Sequence, residues 1–293
     1  MILGPLRVAS GLRSAHAAVS RAGAGAWRLR VAQAAALLGL LLFAPAGARG
    51  NFPFPDPPPP VEYGNLLLNR TARANGVKAV SFSHWMHRQR YSCRVCHFEL
   101  QFNLQAGTTE ITEEANRAGM FCGACHDGKK LFGHERKEDC ERCHNDDLRH
   151  GSERFLKLWR LPLSKYGNLI DWTAALKSGQ ITLTRQLTIP PAADTGFARS
   201  ILLKSTWFMG TDAVFPHGEH SVWHDCNDCH PGIFNIRKKA TEGLQMNAII
   251  GGQYCGVCHG RVAFPLTDCV RCHPQMRKVP QYKTPAPELR PNR

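Results

Sequence analysis

One pentapeptide, Cys-x-x-Cys-His, accounts for every cysteine of this chain, and its repetition limits the possible folds more than any other feature. Six copies use all 12 cysteines and six of the 14 histidines in the 293-residue sequence. Two thiols one helical turn apart can bond to the two vinyl groups of a porphyrin, and the adjacent imidazole can then ligate the iron. The cysteines are Cys93, Cys96, Cys122, Cys125, Cys140, Cys143, Cys226, Cys229, Cys255, Cys258, Cys269 and Cys272, and the histidines that follow them are His97, His126, His144, His230, His259 and His273.

Zinc sites and disulfide bonds are the other common uses of paired cysteines. Neither requires a histidine directly after every second cysteine, and both leave the six histidines unexplained. No cysteine remains outside the motifs to form a second kind of site. The sequence therefore predicts six covalently attached c-type haems, with the six motif histidines as proximal iron ligands.

The N-terminus has the three parts of a secretory signal. Residues 1–30 contain five arginines and no acidic residue, residues 34–44 are apolar, and small residues follow. This order predicts a signal peptide over residues 1–48, cleaved after Ala46 or Ala48, and a periplasmic protein. A retained anchor is the alternative, since the uncharged span of residues 31–48 just reaches the lower length limit for crossing a bilayer. Membrane contact is expected only in that case.

The basic composition does not indicate a nucleic-acid partner. The formal net charge is +14, and removal of the five N-terminal arginines leaves +9. Haem propionates offset most of the remainder, so that the oxidised protein carries about +3. The chain also contains no nucleic-acid-binding motif.

The second half of the chain repeats the first at an offset of 133 residues. A Phe-x-His-x-x-His segment occurs at residues 82–87 and again at 215–220, and the middle motif of each half reads Cys-Gly-x-Cys-His. Residues 63–67 and 166–170 also match weakly, which suggests that each copy has its own approach arm. The pattern predicts two modules of three haems each.

The predicted boundaries follow from this repeat. They are a signal peptide at 1–48, a Pro-rich arm at 49–60, module one at 61–150, a connecting segment at 151–210, module two at 211–274 and a Pro-rich basic tail at 275–293. The mature chain has only about 40 residues per haem, too few to surround each cofactor with an ordinary core. We therefore expect a mostly irregular chain with short α-helices and a core made largely of haem. A short strand is predicted at residues 181–184.

The remaining histidines decide whether the irons have an open coordination position. Two histidines three residues apart, His84 with His87 and His217 with His220, can project from a short helix toward two different irons. For the third haem of module one we predict His134, with His150 as the competing ligand. For the third haem of module two the choice between His224 and Met246 stays open, and a methionine ligand would raise the potential of that haem.

Together, these motifs resemble the triheme class III cytochromes c of the c-seven type. The resemblance covers about residues 80–145 and 214–274, and it implies covalent haems, bis-histidine iron, closely packed haem planes and a role as a periplasmic electron carrier. Module two departs from the family pattern, because it has no histidine between its second and third motifs. Residues 151–208 lie outside the resemblance.

The leading hypothesis is an exported hexahaem cytochrome that carries electrons and is not an enzyme. Its expected partners are a quinol-oxidising membrane complex on one side and a terminal reductase or another cytochrome on the other. Basic runs at residues 129–130 and 237–239 are candidate docking sites. The alternatives are a reductase of nitrite, hydroxylamine or a metal ion with one open haem, a membrane-anchored quinol dehydrogenase, and a subunit of a larger respiratory complex.

Overall fold

Short elements separated by long irregular segments make up the fold. The structure is a computed structural model that describes residues 54–191, 198–205, 210–235 and 243–278. The predicted signal peptide, the basic run at 237–239 and most of the predicted tail lie outside the described residues. Within these ranges no helix has the length and apolarity needed to cross a membrane. The prediction of a mostly irregular chain with short α-helices is confirmed.

The described elements follow one another along the chain in this way. The strands are β1 (Asn65–Leu68), β2 (Val80–Ser83), β3 (Ser200–Leu203) and β4 (Ala213–Pro216). The α-helices are α1 (Arg70–Ala74), α2 (His84–His87), α3 (Glu113–Arg117), α4 (Trp172–Lys177), α5 (His217–Ser221), α6 (Cys226–Cys229), α7 (Met246–Ile250), α8 (Gly256–His259) and α9 (Cys269–Cys272). A π-helical turn covers Val95–Glu99, and 3-10 helices cover Phe121–Ala124, Lys137–Arg142, Ser152–Arg160 and Pro274–Lys278.

Each half of the chain begins with one antiparallel strand pair. Strand β1 pairs with β2, from Asn65 opposite Ser83 to Leu68 opposite Val80. Strand β3 pairs with β4 in the same manner. In both halves the second strand runs directly into the short helix that carries two histidines, α2 or α5. The sequence repeat is therefore also a structural repeat, while the exact module boundaries remain predictions.

The predicted equivalence of residues 63–67 and 166–170 is wrong. Strand β3, inside the predicted connecting segment, takes the place in module two that β1 takes in module one. The second Tyr-Gly-Asn segment instead packs against the first, because the Asn168 side chain donates hydrogen bonds to the carbonyls of Pro60 at 2.8 Å and Tyr63 at 2.6 Å. Gly167 turns there with φ +59°. The two Tyr-Gly-Asn segments are therefore in contact with each other and do not occupy equivalent places in the two modules.

The strand predicted at residues 181–184 is also wrong. Only Thr184 pairs with another chain segment, through a single parallel bridge to Tyr91. Ile181 is instead buried in the hydrophobic core. Alternation of apolar and polar residues over four positions is too short to distinguish a strand from an extended core segment.

The hydrophobic core lies in module one and the connecting segment. Trp85 of α2 is almost fully buried, packs edge-on against Phe155 at 5.3 Å between ring centroids, and donates its indole N–H to the Val61 carbonyl. The core residues are Val61, Trp85, Phe155, Leu158, Leu161, Ile170, Trp172, Ala175 and Ile181. In the described part of module two, the buried apolar side chains larger than glycine are Ile249 and Pro265. Module two therefore has little protein core of its own.

A buried arginine joins the two modules. Arg94, inside the first Cys-x-x-Cys-His motif, has a side chain with no exposed surface and forms ion pairs with Glu99 at 2.7 Å and Asp225 at 3.2 Å. Asp225 directly precedes the first motif of module two. The guanidinium also donates to the backbone carbonyls of Arg185, Ile189 and Pro190 in the connecting segment. One side chain thus links both modules and the chain between them.

Glu99 is held in its ionised form at this junction. Burial alone raises the pKa of Glu99, but the backbone N–H groups of residues 187–189 donate to its carboxylate, and Arg94 lies beside it. These donors outweigh burial, so the pKa of Glu99 lies below its ordinary value. The carboxylate is therefore charged and fully hydrogen-bonded at neutral pH.

Candidate haem cavity

A cavity of about 2020 Å³ runs through the molecule between the attachment motifs. A site for one small molecule measures about 300–1,000 Å³, so this cavity has room for several large ligands. The cysteines that line it are Cys93, Cys96, Cys122, Cys140, Cys143, Cys229, Cys255, Cys258 and Cys272. None of the twelve cysteines forms a disulfide bond with another. The described residues contain no group of three or more His, Cys, Asp or Glu side chains placed to hold a metal ion by themselves.

Each attachment motif forms about one helical turn, which places its two thiols on the same side. In five of the six motifs, the backbone N–H of the histidine donates to the carbonyl of the first cysteine, as in the bond of 2.8 Å from His126 to Cys122. The first motif instead lies in the π-helical turn. This spacing is the one that two porphyrin vinyl groups need.

The middle motif of each module requires its glycine. A Cβ atom added to Gly123 would lie 1.8 Å from the carbonyl oxygen of Asn116, and one added to Gly256 would lie 1.8 Å from that of Ile249. Neither backbone approach leaves room for a side chain. The repeated Cys-Gly-x-Cys-His sequence is therefore explained by packing against α3 and α7, not by haem chemistry.

The imidazoles of the six motifs are all held by the same kind of hydrogen bond. The Nδ1 atom of each proximal histidine lies within hydrogen-bond distance of a backbone carbonyl, which fixes the ring and leaves Nε2 available as a metal ligand. The pairs are His97 with Phe102 (2.8 Å), His126 with Phe132 (3.1 Å), His144 with Lys78 (2.8 Å), His230 with Phe234 (2.7 Å), His259 with Phe264 (2.9 Å) and His273 with Asp212 (3.1 Å).

The predicted distal histidines are held in the same way. Nδ1 of His84 lies 2.7 Å from the Gly64 carbonyl, and Nδ1 of His87 and of His220 each lie 2.9 Å from the carbonyl four residues earlier. His217 has a hydrogen bond to the backbone of Arg199. Burial lowers the pKa of His84 to about 3, so its ring is neutral, which is the form that binds iron.

Distal and proximal rings face one another across the cavity. The ring centroids are 6.5 Å apart for His84 and His97, with an angle of 10° between the planes. They are 6.4 Å apart for His87 and His126, and 6.1 Å apart for His220 and His259. Two imidazoles that ligate one metal from opposite sides, each through a bond of about 2 Å, have centroids about 6 Å apart. The residues present therefore fit a haem iron between the two rings of each pair.

The fourth histidine of the two short helices is His217. Burial lowers its pKa, and the charge of His230 in the first motif of module two lowers it further. The histidines of α2 thus face the first and second motifs of module one, and His220 of α5 faces the second motif of module two.

The third motif of each module has no such partner ring in the described part of the chain. The His134 side chain lines the cavity, but no described ring contact joins it to His144. His150 lines a separate small cavity beside Lys78 and Asn145. These positions leave the third distal ligand of module one a prediction.

His224 lies at the junction of the modules. Its Nδ1 is 3.0 Å from an Asp228 carboxylate oxygen, and its ring also hydrogen-bonds the thiol of Cys93 in module one. This position is beside the first motif of module one rather than beside His273, so it does not favour His224 as ligand of the sixth haem. Met246 begins α7 and is half-buried.

Comparison with known proteins agrees with the repeat. The family model for cytochrome c7 and related cytochromes c matches residues 80–145 and 213–274. Both segments are similar to the cytochrome c7 family. The chain is therefore a multihaem c-type cytochrome, an electron-transfer protein whose Cys-x-x-Cys-His motifs attach haem covalently. When bound, haem supplies an iron that takes up and releases one electron.

Solved multihaem cytochromes are also similar in sequence. The C-terminal hexaheme fragment of GSU1996 is 27% identical over 75% of this chain and 99% of that one, with a TM-score of 0.25. The dodecaheme cytochrome c GSU1996 is 24% identical over 71% of this chain and 75% of that one, with a TM-score of 0.26. No curated protein matches. The TM-scores are low, so the assignment rests on the family model.

The cytochrome c7 modules share one contact that the sequence analysis missed. Arg142 in the third motif of module one pairs with Asp139 at 3.1 Å, and its guanidinium lies 3.6 Å from the centre of the Phe132 ring. In module two, Arg271 pairs with Asp268 and lies over Phe264. The carbonyls of these phenylalanines orient the histidines of the second motifs. The signal was present as Asp-Cys-x-Arg-Cys-His in both copies.

Substitution of Met246 by alanine tests the open ligand of the sixth haem. If the Met246 thioether binds that iron, the oxidised variant should lose the weak red absorption band of a sulfur–iron bond and one midpoint potential should fall. His224→Ala is the matched control, and it should leave that band unchanged. A band that disappears only in the His224 variant, or a wild-type protein without the band, contradicts methionine ligation.

Proposed function

We propose that the chain is an exported cytochrome with six haems, mostly bis-histidine ligated, that relays electrons between respiratory redox partners. The observation that carries this proposal is that three pairs of imidazoles face one another, 6.1–6.5 Å apart between centroids. An iron held between the two rings of such a pair would have no coordination position left for a substrate. A six-coordinate iron exchanges electrons without binding a substrate. The proposed ligands are the six proximal histidines and His84, His87, His134, His217, His220 and either His224 or Met246.

Low-temperature EPR of the purified oxidised protein, with haem quantification as the pyridine haemochrome on the same sample, tests the proposal. We expect six haems per chain and only low-spin ferric signals, because each iron has two axial ligands. A stoichiometric high-spin signal that changes on addition of cyanide or nitrite contradicts a pure electron carrier.

That contrary result would favour the second candidate function, a reductase of nitrite, hydroxylamine or a metal ion. The observation in its favour is that the third motifs, at His144 and His273, have no facing histidine ring among the described residues. Turnover of these acceptors by reduced protein, measured as reoxidation of the haems, separates a reductase from a relay.

The location and the partners are part of the proposal. We infer a periplasmic protein that accepts electrons from a quinol-oxidising membrane complex and delivers them to a terminal reductase or another cytochrome. Lys129 is exposed, and Lys130 is exposed beside Asp127, so both can contact an acidic partner. The mass of the protein, measured separately in the membrane and the membrane-free fractions, distinguishes cleavage after Ala46 or Ala48 from a retained N-terminus. A retained N-terminus in the membrane fraction would indicate the membrane-anchored quinol dehydrogenase.

A further inference from the structure

Arg88 occupies the meeting point of module one, the connecting segment and module two. It directly follows α2 and lines the haem cavity. Its Nη1 donates a hydrogen bond of 2.9 Å to the carbonyl of Val262 in module two. Its guanidinium also lies 4.9 Å from the centre of the Trp172 ring and 5.5 Å from that of Trp223. The cation is therefore fixed in position by all three parts of the molecule.

No described carboxylate compensates the charge of Arg88. The titratable groups that face it are Cys93, Tyr63 and Cys258. Haem attachment converts both thiols into neutral thioethers, and burial raises the pKa of Tyr63 far above neutral pH. An arginine side chain keeps its proton under all these conditions. Arg88 therefore keeps its positive charge in the loaded protein.

The other arginines at the motifs differ from Arg88 in this respect. Arg94 has two carboxylate partners, Glu99 and Asp225, and Arg142 and Arg271 each pair with an aspartate. Their charges are neutralised within the protein, so their long-range fields are weak. Arg88 differs from these three arginines because no carboxylate of the described residues pairs with it.

Two attachment sites flank Arg88. The Val262 residue that accepts its hydrogen bond donates its own backbone N–H to the carbonyl of Cys258, at 2.9 Å. Cys93 lies on the side of module one and hydrogen-bonds His224 of module two. The indole rings of Trp172 and Trp223 lie against the half-buried guanidinium, and a charge acts more strongly where less water surrounds it.

We propose that the fixed positive charge of Arg88 raises the midpoint potentials of the haems attached at Cys93 and Cys258. Reduction of these two haems, at the junction of the modules, is thereby favoured. Each one-electron uptake from a redox partner lowers the local charge by one, and no bond forms or breaks. A fixed cation stabilises that more negative state. This inference rests on the proposed function, because it requires haems at both sites.

Replacement of Arg88 by glutamine tests the role of the charge. We expect two of the midpoint potentials in a spectroelectrochemical titration to become more negative, each by a roughly tenfold change in the reduction equilibrium, which corresponds to 59 mV for a one-electron couple. Arg88→Lys retains the charge and should leave both potentials near the wild-type values. Arg90→Gln removes an exposed cation from the next turn and should change none of them.

The haem count of each protein is measured first by the pyridine haemochrome method. A wild-type protein without haems at these two sites contradicts the proposed function, whereas six haems with unchanged potentials in Arg88→Gln overturn the role of Arg88 alone. Equal shifts in the lysine and glutamine variants also overturn it, since they indicate packing. If the glutamine variant loads fewer haems, Val262→Glu brings a carboxylate to Arg88 instead. The same two potentials should then fall, and unchanged potentials overturn the proposal.

Discussion

Replacement of Cys226 and Cys229 by serine is expected to remove one haem and to unfold most of module two. The described part of this module buries only Ile249 and Pro265 as apolar side chains, so haem must supply most of its interior. Loss of one haem removes a large apolar surface from this interior, and it should lower the free energy of unfolding by about 3 kcal/mol or more. Limited proteolysis should therefore cut within residues 198–278 roughly a hundredfold faster than in the wild type, because cleavage follows the population of the open state.

Serine at Cys140 and Cys143 provides the matched control in module one. This variant also loses one haem, but the core around Trp85, Leu158 and Trp172 remains. We expect residues 54–191 to stay resistant to protease in both variants. Equal sensitivity of the two modules, or a normal thermal stability of the module-two variant, would show that haem is not the main interior of module two.

Replacement of Arg94 by alanine should destabilise the folded protein by about 3–5 kcal/mol, because it leaves the buried carboxylates of Glu99 and Asp225 without their cation. For a chain of this size the thermal midpoint should fall by about 10 °C, as measured by circular dichroism of the haem-loaded protein. The loss of stability caused by the Arg94 substitution should be smaller in acid. The pKa of Glu99 is lowered by folding, so its contribution is present above the unfolded pKa of about 4.3 and is lost as the pH falls through the folded value.

Arg154→Ala is the control for the junction. Arg154 forms an exposed ion pair with Glu153 at 3.5 Å, and its loss should change the stability by less than about 0.5 kcal/mol. Similar midpoints for the two variants would mean that Arg94 does not hold the modules together. Separate transitions for the two modules in the Arg94 variant are the sharpest expected sign that the junction has opened.

The sequence was sufficient for the parts of the site that depend on local spacing. One helical turn is enough to bring the two cysteines of a Cys-x-x-Cys-His motif to the same side. Another single turn is enough to place two histidines, three residues apart, on one side of a helix. The offset of 133 residues then showed that both occur twice. The small number of residues per haem also predicted the irregular fold.

Contacts between distant residues could not be predicted in this way. Arg94 and Asp225 are 131 positions apart, and neither residue type signals an interface by itself. The connecting segment lies outside the family resemblance, yet it supplies seven of the nine buried core residues, among them Phe155, Leu158 and Trp172. The weak match at residues 166–170 was misleading for the same reason: similar local sequence does not specify which strand it will contact.

The short helices α2 and α5 affect which insertions and deletions a chain of this kind can tolerate. If the two histidines of each helix ligate two irons as proposed, the helix itself, with a rise of about 1.5 Å per residue, sets the separation of those irons. The loops between the motifs do not set this distance. The second and third motifs are 18 residues apart in one module and 14 in the other, while the histidine pairs keep the same spacing. Insertions and deletions in the loops can thus accumulate while the path between the first two irons of each module retains its length.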